Sequence, residues 1–132
     1  MASTSLADYQ VLMDGSKTVE YDLTNPTYPR AIDDTFIWPS DLHISSGARR
    51  PILMFNIRPY TDVEFDVFLN TRFIAVDMDF NASHTRSHSE VFSFSSPLAA
   101  GIPNNNRVAF RINMKKGRAR FSDIVIWYQI NR

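Results

Sequence analysis

The chain of 132 residues contains no cysteine. That excludes a disulfide framework and any thiolate metal site, and it agrees with a reducing compartment without requiring one. Net charge is absent too, since 14 basic residues balance 14 acidic ones. A general nucleic-acid binder shows a strong basic excess, so no nucleic acid is expected as a partner. The same neutrality gives little repulsion between copies, and a homo-oligomer is expected. No apolar run approaches the ~20 residues of a membrane span, so no membrane insertion is expected. Residues 1–8 lack the basic and apolar regions of a secretory signal. The expectation is cytoplasmic synthesis with no signal peptide, release by a non-signal route staying open. No stretch of roughly a dozen residues carries a helical apolar stripe. Repeats, low-complexity tracts and linkers are missing. A nucleophile elbow and a phosphate loop are missing as well. Nothing marks any of the carboxylates as a raised-pKa acid. An enzyme is therefore not expected.

What is present suits one small β domain. Apolar residues make up 44% of the chain and aromatic residues 13%, enough for one core, and the length is that of a single domain over residues 1–132. Seven prolines, with many Ser, Asn and Asp clusters, cut the chain into short pieces. That spacing of turn signals predicts an all-β sandwich or barrel. Strands are expected over residues 9–13 and 18–23, on either side of Asp14-Gly15-Ser16. The segment 25–29 is a loop, because its prolines cannot donate to a ladder. Residues 35–38 form a short strand stopped by Pro39. Residues 50–57 have a continuous apolar centre, which predicts burial on both faces.

Two hairpins are expected in the second half. A two-residue turn at Asn70-Thr71 sets Val67 against Ile74, Phe65 against Val76 and Val63 against Met78, all apolar and on one face. The other face then pairs Phe68 with Phe73, Asp66 with Ala75 and Glu64 with Asp77. The last of these is a like-charge pair, normally destabilising. Strand twist, an intervening cation or a different register would each account for it. The second hairpin joins 106–114 to a strand ending at Tyr128 by a turn near Gly117. Val108, Phe110, Ile112 and Met114 share one face. Ile124-Val125-Ile126 is apolar on both sides, so the closing strand is central. Of Trp127 and Tyr128, which alternate, one must leave the core; core or subunit interface is the expectation for both.

The order of these pieces resembles the galactose-binding-domain-like β-sandwich (jelly roll) superfamily, over roughly residues 50–130. The residues that carry the resemblance are the Leu69-Asn70-Thr71-Arg72 turn and the strand Ser87-His88-Ser89-Glu90-Val91-Phe92-Ser93. The Leu98-to-Asn106 loop with Gly101, Val108-Ala109-Phe110-Arg111-Ile112 and Ser122-Asp123-Ile124-Val125 complete it. Asn-Thr stands where that superfamily has Asn-Gly, and the 98–106 loop is longer. The resemblance implies an antiparallel jelly-roll sandwich of carbohydrate-binding-module or lectin type. It implies glycan binding only as the commonest outcome, because fold does not determine function.

The residues with chemical potential lie elsewhere. The segment 77–90 is the most polar loop region and holds two of the three histidines, His84 and His88. Their spacing suits a metal on a helix, but no His-Glu-x-x-His pattern accompanies it. A solvated loop is the plain alternative to a ligand loop. Asp77, Asp79, His84, Arg86 and His88 offer donors and acceptors that match sugar hydroxyls. Trp38 offers an aromatic face for a sugar ring. These six are the expected glycan-binding residues. Asp79 and Glu90 make a structural calcium conceivable, though no calcium loop is present, and no cofactor is expected. Arg107, Arg111, Arg118 and Arg120, with Lys115 and Lys116 at the tip, form one basic outer face of the last hairpin. It would meet phosphate or sulfated glycan, or simply keep the hairpin soluble. Asn81-Ala82-Ser83 matches a glycosylation sequon, read as coincidence without a secretory signal. The leading expectation is a non-catalytic, lectin-like carbohydrate binder whose copies add avidity. The alternative is a structural or assembly protein of a virus, phage or secreted particle. A small hydrolase ranks last.

Overall fold

The computed structural model describes residues 5–22, 24–37, 51–70, 72–91, 106–113 and 117–131. Among them are eight strands: β1 Ser5–Tyr21, β2 Ala31–Phe36, β3 Ile52–Pro59, β4 Val63–Leu69, β5 Arg72–Phe80, β6 Arg86–Val91, β7 Asn106–Ile112 and β8 Gly117–Asn131. They form two four-stranded sheets, ordered β1-β8-β3-β6 and β2-β7-β4-β5. Every pairing is antiparallel. This is the expected all-β antiparallel sandwich.

Alternation along the strands builds the core. In β7, Val108, Phe110 and Ile112 are buried while Arg107 and Arg111 are exposed. In β4, Val63, Phe65, Val67 and Leu69 all turn inward. Four phenylalanines, Phe55, Phe65, Phe110 and Phe121, meet at the centre from both sheets. Their ring centroids lie 4.7 Å (Phe110–Phe121) to 6.4 Å (Phe65–Phe110) apart.

Several local expectations need correction. Residues 9–13 and 18–23 are not two strands around a turn. Residues 9–13 and 18–21 are parts of one strand, β1, which runs beside β8 along its whole length with register shifts around Met13; Leu23 lies outside the described residues. Gly15, at φ +130°, takes up the irregularity without leaving the sheet. The strand expected at 50–57 is β3, and its burial alternates: Leu53, Phe55 and Ile57 are buried, Ile52 and Met54 only half-buried. The strand expected at 35–38 is β2, two residues or more upstream; Trp38 and Pro39 lie outside the described residues.

The β4–β5 hairpin has the expected register at its turn, with Leu69 opposite Arg72 and Phe68 opposite Phe73. Asn70 adopts φ +55°, a conformation Asn tolerates better than most residues. Its side chain accepts from Arg107 N (3.0 Å) and donates to Asn106 Oδ1 (3.2 Å), which ties the turn to β7. Beyond that pair the register slips twice, between Phe68 and Val67 and again between Val67 and Phe65. Val67 faces Ala75, Phe65 faces Met78 and Glu64 faces Asp79. Asp77, at φ +53°, sits in the second bulge, where Val76 and Asp77 together oppose Asp66. The bulges leave Ile74 buried but turn Val76 outward, 54% exposed.

The supposed last hairpin does not exist as a pair. β7 bonds to β2 and β4 in one sheet, and β8 bonds to β1 and β3 in the other. Ile112 and Phe121 therefore belong to opposite layers of the sandwich. The closing strand is central, as expected, with Ile124 and Ile126 buried. Asp123, at φ +52°, bulges out between Phe121 and Ile124, so both of these reach the core. Tyr128 takes the buried position and Trp127 the outer one.

Candidate functional site

Of the six expected binding residues, Trp38 lies outside the described residues. The other five do not form one cluster. Asp77 and Asp79 stand on β5, in the second sheet, whereas Arg86 and His88 stand on β6, in the first. His84 is exposed in the connection between them. Arg86 and His88 point toward the rim of the core. The Arg86 guanidinium carbon is 4.5 Å from the Phe80 ring centre. His88 meets Phe80 edge-on at 5.5 Å and places Nε2 3.0 Å from Glu90 Oε2. These side chains cover the sandwich edge between β5 and β6. Among the described residues, no group of three or more His, Asp or Glu side chains is placed to hold a metal ion.

The acidic residues gather on the outside of the second sheet. Asp66 is buried and accepts from Asp77 N (2.9 Å) and Asn113 Nδ2 (2.9 Å), and Asn113 Nδ2 also donates to Asp77 Oδ1 (3.0 Å). Arg111 Nη2 is 3.8 Å from Asp66 Oδ2. The Glu64 carboxyl is pushed above the ordinary glutamate range. Its shared hydrogen bond with Asp77 is the largest cause, followed by desolvation and by repulsion from Asp77, Asp79 and Asp66. A carboxyl whose folded pKa is raised favours the fold below its unfolded pKa, and that contribution is lost as pH rises through the folded value. Glu64→Gln, which keeps the hydrogen-bonding shape without the charge, is therefore expected to raise the melting temperature at pH 7. The gain should shrink to nothing as pH falls through the carboxylate range. Thermal melts of both proteins between pH 7 and pH 4 check this.

The four arginines assigned to one basic face are divided between the two sides of the sandwich. Arg107 and Arg111 lie on the outer face of the second sheet. There Arg107 pairs with Asp33 at 3.5 Å, and Arg111 covers Phe68 at 4.9 Å. Arg118 and Arg120 lie on the first sheet. Lys115 and Lys116 are outside the described residues.

The feature with the chemistry of a binding platform is the outer face of the first sheet around Trp127. Cross-strand register places Tyr9, Trp127, Ile52 and Val91 in one row, and Val11, Val125, Met54 and Ser89 in the next. Trp127 is 39% exposed, Tyr9 53%, Val11 54% and Val91 49%. The Tyr9 and Trp127 rings lie 5.0 Å apart, inclined at 39°. A cavity of about 350 Å³ beside Trp127 is lined by Ala7, Ile52, Met54, Ser89, Tyr128 and Gln129. Gln129 Oε1 is buried and accepts no hydrogen bond among the described residues. One row beyond, Asn56 donates to Asp123 Oδ2 (3.1 Å) and accepts from Ser87 Oγ (2.7 Å). Neither of the first two rows contains a charged side chain. The outward turn of Trp127 was legible as an alternative in the Trp127-Tyr128 alternation. Its neighbours Tyr9 and Met54 were not, because they come from strands distant in sequence.

No protein-family model matches the sequence, and no curated protein does. Solved structures do match in fold. A family 29 carbohydrate-binding module from Piromyces equi superposes with a TM-score of 0.52 at 10% identity, over 92% of this chain and 91% of that one. Dimeric latent PorU from Porphyromonas gingivalis superposes with a TM-score of 0.55 at 12% identity. That match spans 99% of this chain but only 13% of the PorU chain, so it concerns one small part of a much longer protein. What the chain shares with both is the fold, a β-sandwich of the kind used by carbohydrate-binding modules.

Proposed function

We propose that this domain is a non-catalytic carbohydrate-binding module whose glycan lies on the outer face of the first sheet. The observation that carries the reading is the solvent-facing Trp127–Tyr9 pair on an uncharged patch. Aromatic rings stack against the apolar faces of sugar rings, and Trp presents the largest such surface. Polar groups at fixed positions then orient the ligand. Gln129 lines the adjoining cavity, and its side-chain amide offers a donor and an acceptor for sugar hydroxyls. Ser89 borders the same cavity. The occurrence of this sandwich in a carbohydrate-binding module supports the reading. The polar residues are then secondary contacts at most: Asp77 and Asp79 belong to the other sheet, His84 to a connection, and Arg86 and His88, though on β6, pack against Phe80.

Trp127→Ala is expected to weaken glycan binding by ten- to a hundredfold, the usual loss at a buried aromatic anchor. Tyr9→Ala should act in the same direction with a smaller effect. Both variants should keep the wild-type circular dichroism spectrum, because both rings stand outside the core. A glycan array followed by calorimetry on the strongest ligand makes the measurement. Unchanged affinity in Trp127→Ala would move the site away from this face. A second reading rests on the same exposed Tyr9, Val11, Val91 and Trp127, which suit contact with another copy, as in an assembly protein. It predicts concentration-dependent light scattering that Trp127→Ala abolishes, with no signal on the array.

A further inference from the structure

The outer face of the first sheet changes character along its strands. Below the Trp127 and Val125 rows comes the Asn56, Ser87 and Ser122 row, and then Arg120 beside Arg58, with Arg118 next along β8. Arg58 and Arg120 are directly opposite in the ladder, so their Cβ atoms are about 5 Å apart, and like charges in that position are destabilising. Among the described residues the ion pairs are Lys17–Asp34, His88–Glu90, Arg107–Asp33 and Arg111–Asp66, and none relieves this cluster. The nearby carboxylates are engaged elsewhere. Glu20, opposite Arg118, accepts from Thr27 N (2.7 Å) and Tyr28 N (3.4 Å). Asp62 accepts from Ala82 N (2.8 Å), and Asp123 accepts from Asn56 (3.1 Å).

Two of the guanidinium groups are also held in place, and the Arg118 backbone is tied to Tyr60 and Thr61. Arg58 and Arg118 each lie 4.9 Å from the Tyr60 ring centre. Tyr60 N donates to Arg118 O (2.9 Å), and Arg118 N donates to Thr61 Oγ1 (3.0 Å). Two arginines ordered on one tyrosine, with Arg120 beside Arg58 in the ladder and no ion pair to any of the three among the described residues, suit a planar or tetrahedral oxyanion. From Ile52 to Arg58 the strand rise covers about 20 Å, so the aromatic and basic ends belong to one elongated surface.

We infer that the domain binds an acidic glycan, with uncharged sugar rings on Trp127 and Tyr9 and a carboxylate or sulfate at Arg58, Arg118 and Arg120. This rests on the glycan reading above and adds the ligand's charge. Uronate and sulfate offer the same oxyanion chemistry, so separate probes distinguish them.

The test is calorimetry at low salt with a neutral β-glucan oligosaccharide, an oligogalacturonate and a heparin-derived oligosaccharide of similar length, and with polyglutamate as a sugar-free polyanion. The expected result is one acidic glycan binding at least tenfold tighter than the neutral one, with that advantage lost in molar salt. Arg58→Gln/Arg120→Gln should lose the advantage while keeping neutral-glycan affinity, and Trp127→Ala should weaken every glycan. Equal affinity for neutral and acidic glycans, unchanged in the double arginine variant, would overturn the acidic specificity and leave the glycan reading standing. Polyglutamate binding as tightly as the acidic glycan would overturn it in favour of a general anion surface. Binding of no glycan would overturn both readings.

Discussion

Phe121→Ala is expected to lower the unfolding free energy by about 3–5 kcal/mol. Phe121 is fully buried on β8, the central strand of the first sheet. Its ring meets Phe110 at 4.7 Å, Phe65 at 5.1 Å and Phe55 at 5.7 Å. Two of these partners come from the other sheet, so the lost ring opens the middle of the sandwich. Backbone hydrogen bonds on both sides of β8 hold that strand in place and hinder collapse into the gap. Against a total stability of about 5–15 kcal/mol, the loss is large. A fall in melting temperature of roughly 10–20 °C should follow. Phe73→Ala provides the comparison. Phe73 stacks on Phe68 at 4.5 Å but is 47% exposed, so its removal should cost under about 1 kcal/mol. Equal losses in the two variants, measured by urea denaturation, would contradict the core described above.

Asp66→Ala should be the second most damaging single change, at about 2–4 kcal/mol. Removing the carboxylate leaves the Asp77 amide and one Asn113 bond without an acceptor, inside a bulge that already holds Asp77 at positive φ. It also relieves repulsion on Glu64, which opposes the loss. The lost bonds should win, because Asp66 is buried and charge-assisted bonds there are worth about 1.5–3 kcal/mol each, while Glu64 is solvated. Asp66→Asn keeps one acceptor and should recover part of the loss. Hydrogen exchange at the Asp77 amide gives a local readout, with protection expected to fall in Asp66→Ala. Retained protection would show that the bulge is held by other contacts.

The parts of the fold legible in the sequence were those governed by local rules. Alternation in 63–69 and 106–112 identified the inward faces of β4 and β7 correctly. Asn70 marked its turn, because a residue tolerating positive φ was needed there. The β5 register failed beyond Phe73, since a bulge inserts residues without breaking the local pattern of apolar side chains. β1 was divided for a related reason: Asp14-Gly15-Ser16 has turn chemistry, yet pairing with β8 keeps the strand continuous through it. The β7–β8 hairpin was misjudged because two strands adjacent in sequence join different sheets, and a turn signal does not say which.

The sequence by itself determined the class. Its turn spacing, alternating faces and apolar closing strand pointed to an all-β sandwich or barrel, because period-two apolar patterns bury one face of a strand and no segment carries a helical stripe. Only the tertiary structure decided which side chains meet on the surface. Trp127 gains Tyr9 from β1 and Met54 from β3, while Arg120 gains Arg58 from β3, and Tyr60 just beyond β3 gathers Arg58 and Arg118. The four arginines that looked like one patch separate onto opposite faces. Surface sites of a β-sandwich are assembled across strands distant in the chain, and cross-strand register, set by long-range pairing and bulges, determines which side chains become neighbours.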